Sequence, residues 1–175
     1  MIITKRQSNV AATIIAFLLG WSASYVLLLA PEPVLQPSVS VQSVQSELHD
    51  QHAYLYLINQ ERARNGLGEL KLSDKLNTSA QLKAEDMKEF DYWAHDNPNG
   101  TEPWHFFKLA GYDYERSGEN LAKCWDTPEQ TVKAWMSSPT HKDNILGDYT
   151  ETGLGSYYKG DCLVVINHFA SPIVN

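Results

Sequence analysis

Hydrophobic and polar positions change rhythm four times along the chain. Val10 to Ala30 is an apolar run of 21 residues without a charge, preceded by Lys5 and Arg6. As a helix it would span about 30 Å, the thickness of a bilayer's hydrocarbon. From Pro31 to Glu47 the apolar residues thin to scattered valines among three prolines, four serines and three glutamines, which reads as an extended tether. A period of three to four residues then sets in. Tyr54, Leu57, Ile58 and Glu61 share one face of a predicted helix that Asn65-Gly66 stops. Ser73 is placed to cap a second helix, whose stripe is Leu76, Ala80, Ala84 and Met87 with polar residues opposite.

An aromatic segment, Phe90 to Asp96, runs into the turn Asn97-Pro98-Asn99-Gly100. Thr101 and Pro103 start a short helix carrying Trp104, Phe106, Phe107 and Leu109 and ending at Gly111; His105 within it reads as packing or surface. An apolar strand is expected to begin after Ser117-Gly118-Glu119. Thr127-Pro128-Glu129-Gln130 combines an N-cap, a first-turn proline and a capping-box glutamine, with Val132, Trp135 and Met136 facing inward. Pro139 ends or kinks that helix, and Ser138 is placed to cap a further short helix to Leu146. Thr150–Tyr158 and Cys162–Phe169 form a predicted hairpin around Lys159-Gly160-Asp161. Helices first, then antiparallel strands with one helix interposed, imply an α+β layered domain and not a parallel doubly wound sheet.

The organisation expected is therefore residues 1–9 as a cytoplasmic N-terminus, 10–30 as a transmembrane signal-anchor, 31–47 as linker, and 48–175 as the folded domain. With no lysine or arginine between the apolar run and Arg62, the lysine–arginine asymmetry directs the domain outward. A cleaved signal peptide competes, and would make the domain secreted. Against it, Leu28-Leu29-Ala30-Pro31 is not a small-x-small cleavage site.

Charge narrows the partners. The net charge is −7, and the two basic and two acidic residues before Leu48 cancel, so all of it sits on the domain. An acidic domain without a lysine or arginine cluster is a poor phosphate-backbone binder, so nucleic acid is not an expected partner. Membrane attachment follows from the anchor; protein partners are not legible.

Three residues carry the candidate chemistry. Glu119 lies in Ser117-Gly118-Glu119-Asn120-Leu121-Ala122, His95 closes the aromatic segment, and His141 follows the helix break Ser138-Pro139-Thr140. The fold is expected to bring both histidines to one side of Glu119, forming a small polar cleft with Asn120 and Ser138 as supporting residues. The competing reading has Glu119 bound to backbone and the histidines on the surface. His141 in the first turn of a helix would have its proton affinity lowered by the positive helix end, favouring the neutral imidazole a metal requires. Two neutral imidazoles suit zinc or another divalent metal, held loosely because a closed site needs four protein ligands. Glu119 would orient the bound water or act as acid/base. No H-E-x-x-H helix supports a zincin-type protease. A Ser138–His141 nucleophile pair lacks an identifiable oxyanion hole or orienting acid.

Taken together these stretches resemble the superfamily of cysteine-rich secretory proteins, antigen 5 and pathogenesis-related-1 proteins (CAP, or SCP domain), in its short bacterial branch. The resemblance rests on LINQERARNGLGEL (57–70), Ala84–Met87 leading to His95, PWHFFKLAGY (103–112), SGENLA (117–122), TPEQTVKAWMSSPTHKDNIL (127–146), YTETGLG (149–155) and VVINHFA (164–170). It implies a three-layer α–β–α sandwich with a small antiparallel sheet and a central cleft. His95 and His141 match the family's two cleft histidines, and Glu119 its G-E-N glutamate. The eukaryotic branch's second acid falls three residues after a tryptophan; here that position is Ser138.

Cys124 and Cys162 are an even pair. In an exported domain a disulfide is expected; two buried thiols, or a catalytic cysteine beside His141 or His168, are the alternatives. The functional expectation is a membrane-tethered extracytoplasmic module binding metal or a lipid, sterol or envelope ligand. A metal-dependent hydrolase of peptide or envelope polymer is the alternative.

Overall fold

The computed structural model describes residues 50–173. The predicted membrane segment and linker lie outside them; among the described residues no helix is long and apolar enough to cross a membrane.

Helix α1 (Gln51–Arg64) starts at Asp50, whose carboxylate caps His52 N, and ends at Asn65 with Gly66 in the left-handed region. Tyr54 and Ile58 of the expected face are buried and Leu57 packs partly against the core, but Arg62 is buried beside them where Glu61 was expected. Arg62 donates to the carbonyls of Gly68 (2.8 Å), Ile145 (2.9 Å), Gly147 (2.8 Å) and Tyr149 (3.2 Å). A charged side chain joins this face because carbonyls at the end of a later helix need its donors.

Strand β1 (Lys71–Leu72) leads into α2 (Asp74–Glu89), where the stripe Leu76, Ala80, Ala84, Met87 is fully buried as predicted. Ser79 and Lys83 are buried on the same helix, against the expectation of a polar reverse side. After α3 (Trp104–Leu109), strand β2 runs from Tyr114 to Lys123, so the Ser117–Ala122 stretch is its middle and not its beginning. Helix α4 (Pro128–Ser137) is capped by Thr127 Oγ1 accepting from Gln130 N. Gln130 in turn accepts from Asp126 N (2.9 Å), one residue earlier than a capping box would have it. Helix α5 (Pro139–Ile145) follows; Ser138 occupies its N-cap, but the hydroxyl makes no capping bond. Strands β3 (Glu151–Lys159) and β4 (Cys162–Pro172) form the expected hairpin across Gly160-Asp161.

The sheet order is β1-β3-β4-β2. Its main pairings are antiparallel, but β1 pairs parallel with β3, so the sheet is mixed where an antiparallel one was expected. Two residues are too short to show a strand period in the sequence. Alternation along β4 sorts the core: Val164 and Ile166 meet Leu121 and the α2 stripe on one face. Leu163, Val165 and Phe169 meet Tyr54, Ile58, Val132, Trp135 and Ile145 on the other. Helices thus cover both faces. Cys124 and Cys162 are disulfide-bonded, tying the end of β2 to the start of β4.

Side chains close the β2 edge and the part of β3 that extends beyond β1. On β2, the carbonyls of Ser117, Glu119 and Leu121 accept from Tyr149 Oη (3.1 Å), Asn144 Nδ2 (3.0 Å) and Trp135 Nε1 (3.0 Å). On β3, Leu154 N donates to Asn77 Oδ1 (3.0 Å), Ser156 N donates to Gln81 Oε1 (3.1 Å), and Leu154 O accepts from Gln51 (3.0 Å). Edges so occupied cannot template a further strand.

Candidate functional site

The site is built on the edge strand β2. Alternation points Glu119 to the α2 face, where it is buried directly opposite His168 in the β2–β4 register. A buried carboxylate needs partners for both oxygens. Oε1 accepts from His95 Nδ1 at 2.6 Å and Oε2 from His168 Nε2 at 3.1 Å. Because a carboxylate only accepts, these contacts fix the proton on Nδ1 of His95 and on Nε2 of His168. His168 Nδ1 is then left to accept from the Ser79 hydroxyl at 2.9 Å. The ring of His168 stacks on Phe107, centroids 4.5 Å apart.

Ser79, His168 and Glu119 have the connectivity of a serine–histidine–acid triad, but Ser79 and His168 are completely buried. They form a hydrogen-bond chain in the core, not a nucleophilic centre. His95 is where that chain reaches solvent: 55% of its side chain is exposed, with Nε2 free of the Glu119 contact. Buried Lys83 on α2 fixes the loop behind it, donating to the carbonyl of His95 and to Tyr92 Oη (2.9 Å). Tyr92 Oη donates to Asp86, which also accepts from Asn97 Nδ2 (2.9 and 3.1 Å).

Charge states follow from these contacts. Burial pushes the Glu119 carboxyl up, but hydrogen bonds from His168 and His95 and the charge of Lys83 outweigh it, leaving its pKa below the usual value. His95 is raised, chiefly by its bond to Glu119 against partial burial. His168 is lowered by complete burial despite the same carboxylate, and so stays neutral. His141 is lowered by burial first and by the charge of His95 second. The direction is the one expected for His141, and burial is its leading cause.

A cleft of about 320 Å³ opens beside His95, lined by Asp96, Glu102, Trp104, Ser117, Glu119 and Asn144 among others. Of the residues singled out in the sequence, His95 and Glu119 meet directly. His141 lies near enough to His95 to feel its charge, yet is not among the lining residues. Asn120 points to the opposite sheet face, donating to His141 O (2.9 Å) and accepting from Asn144 (2.8 Å), and so anchors α5. Ser138 accepts at its carbonyl from Lys142 N and lies outside the cleft lining.

Sequence reading gave no role to Ser79 or Lys83 and named His168 only beside a catalytic cysteine, which the Cys124–Cys162 disulfide rules out. The signal was present: each is polar at a position where its element's period demands an apolar residue. Such a residue must find a partner, and the partner is a second polar group in the same core.

The donor set bears directly on metal binding. His95 Nε2 and the His141 ring offer two nitrogens, while Glu119 has both oxygens engaged. Among the described residues no group of three or more histidine, cysteine or acidic side chains could hold a metal ion. These residues suit at most a loosely held ion, not a resident one.

A helix-covered mixed sheet with a His–Glu pair at its edge defines a class of fold, and comparison with known proteins specifies it. The chain belongs to the cysteine-rich secretory protein (CAP) family, whose model matches residues 55–169. The Bacillus subtilis protein YkwD is 41% identical over 105 residues, 59% of this chain and 41% of YkwD. The B. subtilis membrane protein YlbC is 29% identical over 102 residues, 58% of this chain and 30% of YlbC. The chain thus spans less than half of either relative. Among solved structures, an extracellular SCP-domain protein of Bacillus anthracis aligns with a TM-score of 0.65 at 23% identity, covering 78% of this chain and 44% of that one. An outer surface protein of Borrelia burgdorferi aligns with a TM-score of 0.65 at 22% identity, covering 71% of this chain and 94% of that one. At such identities the two structures speak for the fold.

Proposed function

We propose that this is an extracytoplasmic CAP-domain binding module, held at the cell membrane by residues 10–30 and taking a small polar ligand in the His95–Glu119 cleft. The observation that carries this reading is the occupancy of Glu119. A hydrolase using it as acid/base needs a carboxylate oxygen free to exchange a proton with water. Here both oxygens accept from imidazoles, one of them buried and neutral. Glu119 is a fixed charge that orients His95, leaving His95 Nε2 and the Asp96–Glu102 rim for recognition. At about 320 Å³ the cleft is at the small end of ligand sites. That size and lining favour a lipid headgroup or a polar unit of an envelope polymer over a sterol body.

Zinc or another divalent ion fits this reading as an exchangeable occupant between His95 Nε2 and His141, supplying charge for an anionic or carbonyl ligand group. Lysine and arginine placement supports the topology, with the N-terminus cytoplasmic and the domain outside. Zinc titration of the full chain in detergent, purified without a histidine tag, tests the cleft. Weak uptake of one ion, abolished in H95A/H141A with the fold intact, is the expected result. Hydrolysis of a peptide or envelope-polymer substrate that vanishes equally in E119Q would replace this reading with the metal-dependent hydrolase.

A further inference from the structure

Two hollows larger than the His95–Glu119 cleft lie away from it, at the disulfide end of the sheet. One of about 560 Å³ is bordered by Trp125, Tyr158, Lys159 and Asp161. The other, about 660 Å³, is bordered by Trp125, Gln130, Lys133 and Ser137. They share Cys124, Trp125 and Asp126, and neither shares a residue with the cleft.

Trp125 is 44% exposed, and the chain goes to some length to keep it there. Cys124 adopts φ 61°, a left-handed conformation uncommon outside glycine. The residue is locked by the disulfide to Cys162 and by Cys124 N donating to Leu163 O at 2.7 Å. On the other side Asp126 N donates to Gln130, and Thr127 caps α4. The indole is therefore presented on a short segment fixed at both ends, and a binding group held in place beforehand loses little freedom on complex formation.

The surroundings select the ligand. Asp126 and Asp161 stand among Lys133 and Lys159, the latter paired with Asp91, so the rim has no cluster of either sign and offers both donors and acceptors. A lipid anion, a nucleic acid or a strongly basic peptide gains nothing from such a rim. What complements a bare indole among balanced polar side chains is a neutral ligand with apolar C–H edges and many hydroxyls, which describes a pyranose ring. Two hollows on a common aromatic residue fit successive rings of an extended chain.

We propose that Trp125 is the stacking platform of a second site, which binds a neutral, extended oligosaccharide across these two hollows independently of the His95–Glu119 cleft. The test is calorimetric titration of the full chain in detergent with cellohexaose and with chitohexaose. At least one should bind. W125A should weaken it about tenfold or more without lowering Tm, as expected for loss of a central aromatic anchor. W125Y, which keeps a ring, should retain most of the affinity, and H95A should leave it unchanged. Binding of neither sugar overturns the proposal, as does W125A binding like the wild type. A loss that W125Y fails to restore, or a proline-rich peptide binding at Trp125 where both sugars fail, overturns it equally.

Discussion

Glu119 shows how much a single buried charge dictates. Its carboxyl is held below the usual pKa by two imidazoles, so the unfolded chain binds that proton more tightly. Its contribution to stability is complete above the ordinary carboxylate range and lost as pH falls through the folded value. His168, also lowered, acts the same way at higher pH: below the ordinary histidine value of 6.5 the unfolded chain takes up a proton that the folded core refuses. His95 opposes it, because its pKa is raised; its contribution is present below 6.5 and lost as pH rises through the folded value. The groups facing His168 are Ser79, Glu119 and, through its charge, Lys83. H168N removes the titration while keeping a donor, so the stability gap between wild type and H168N should be wider at pH 7 than at pH 5. Urea unfolding at the two pH values measures this; a gap that widens on acidification would show that His168 is charged in the core. Arg62 is the other buried cation, and R62M would leave four carbonyls without its donors. The expected cost is about 2–4 kcal/mol of unfolding free energy.

At the scale of elements, α2 lies directly on β3 at two glycines. A Cβ on Gly153 would stand 2.2 Å from the backbone carbon of Leu76, and one on Gly155 would stand 2.3 Å from that of Ala80. The two glycines let the helix backbone settle on the strand, which brings Asn77 and Gln81 to the strand's amide groups. G155A should therefore cost about 3 kcal/mol or abolish folding, because helix and strand must separate together. G68A, with nothing within 4 Å of the added carbon, is the control and should be nearly neutral in the same thermal melts. This contact also marks the limit of what a sequence shows. The α2 stripe, the Thr127-Pro128 start of α4 and the hairpin around Gly160 were legible because each is a local pattern of period, cap or turn. The Gly153–Leu76 approach, the parallel β1–β3 pair and the Arg62 nest join residues far apart in the chain, and no local period encodes them. The cleft divides likewise: His95 and Glu119 stood out by motif, whereas His168 was hidden in the apolar strand that its partner's register makes polar.

For the whole molecule, the disulfide and the N-terminal segment make one argument about compartment. Cys124 and Cys162 close a loop with a sequence separation of 38, worth about 3–4 kcal/mol in the chain-entropy account. Such bonds are rare in the reducing cytoplasm. The proposed orientation, with Lys5 and Arg6 inside and the domain outside, delivers the cysteines to that environment. Two measurements on one membrane preparation test both halves. N-terminal sequencing should find Met1 to Ala30 still attached, because Leu28-Leu29-Ala30-Pro31 offers signal peptidase no small-x-small site. Thiol labelling of intact protein should fail until reductant is added. A chain beginning near Pro31 but still resistant to labelling would keep the domain exported and remove the tether. A retained N-terminus with both thiols reactive would place the domain on the cytoplasmic side, where the staple between β2 and β4 would not survive. Local ligand concentration depends on that difference. On the proposed tether, a ligand confined to the same membrane surface would be met at a raised effective concentration, so weak affinity would suffice for occupancy.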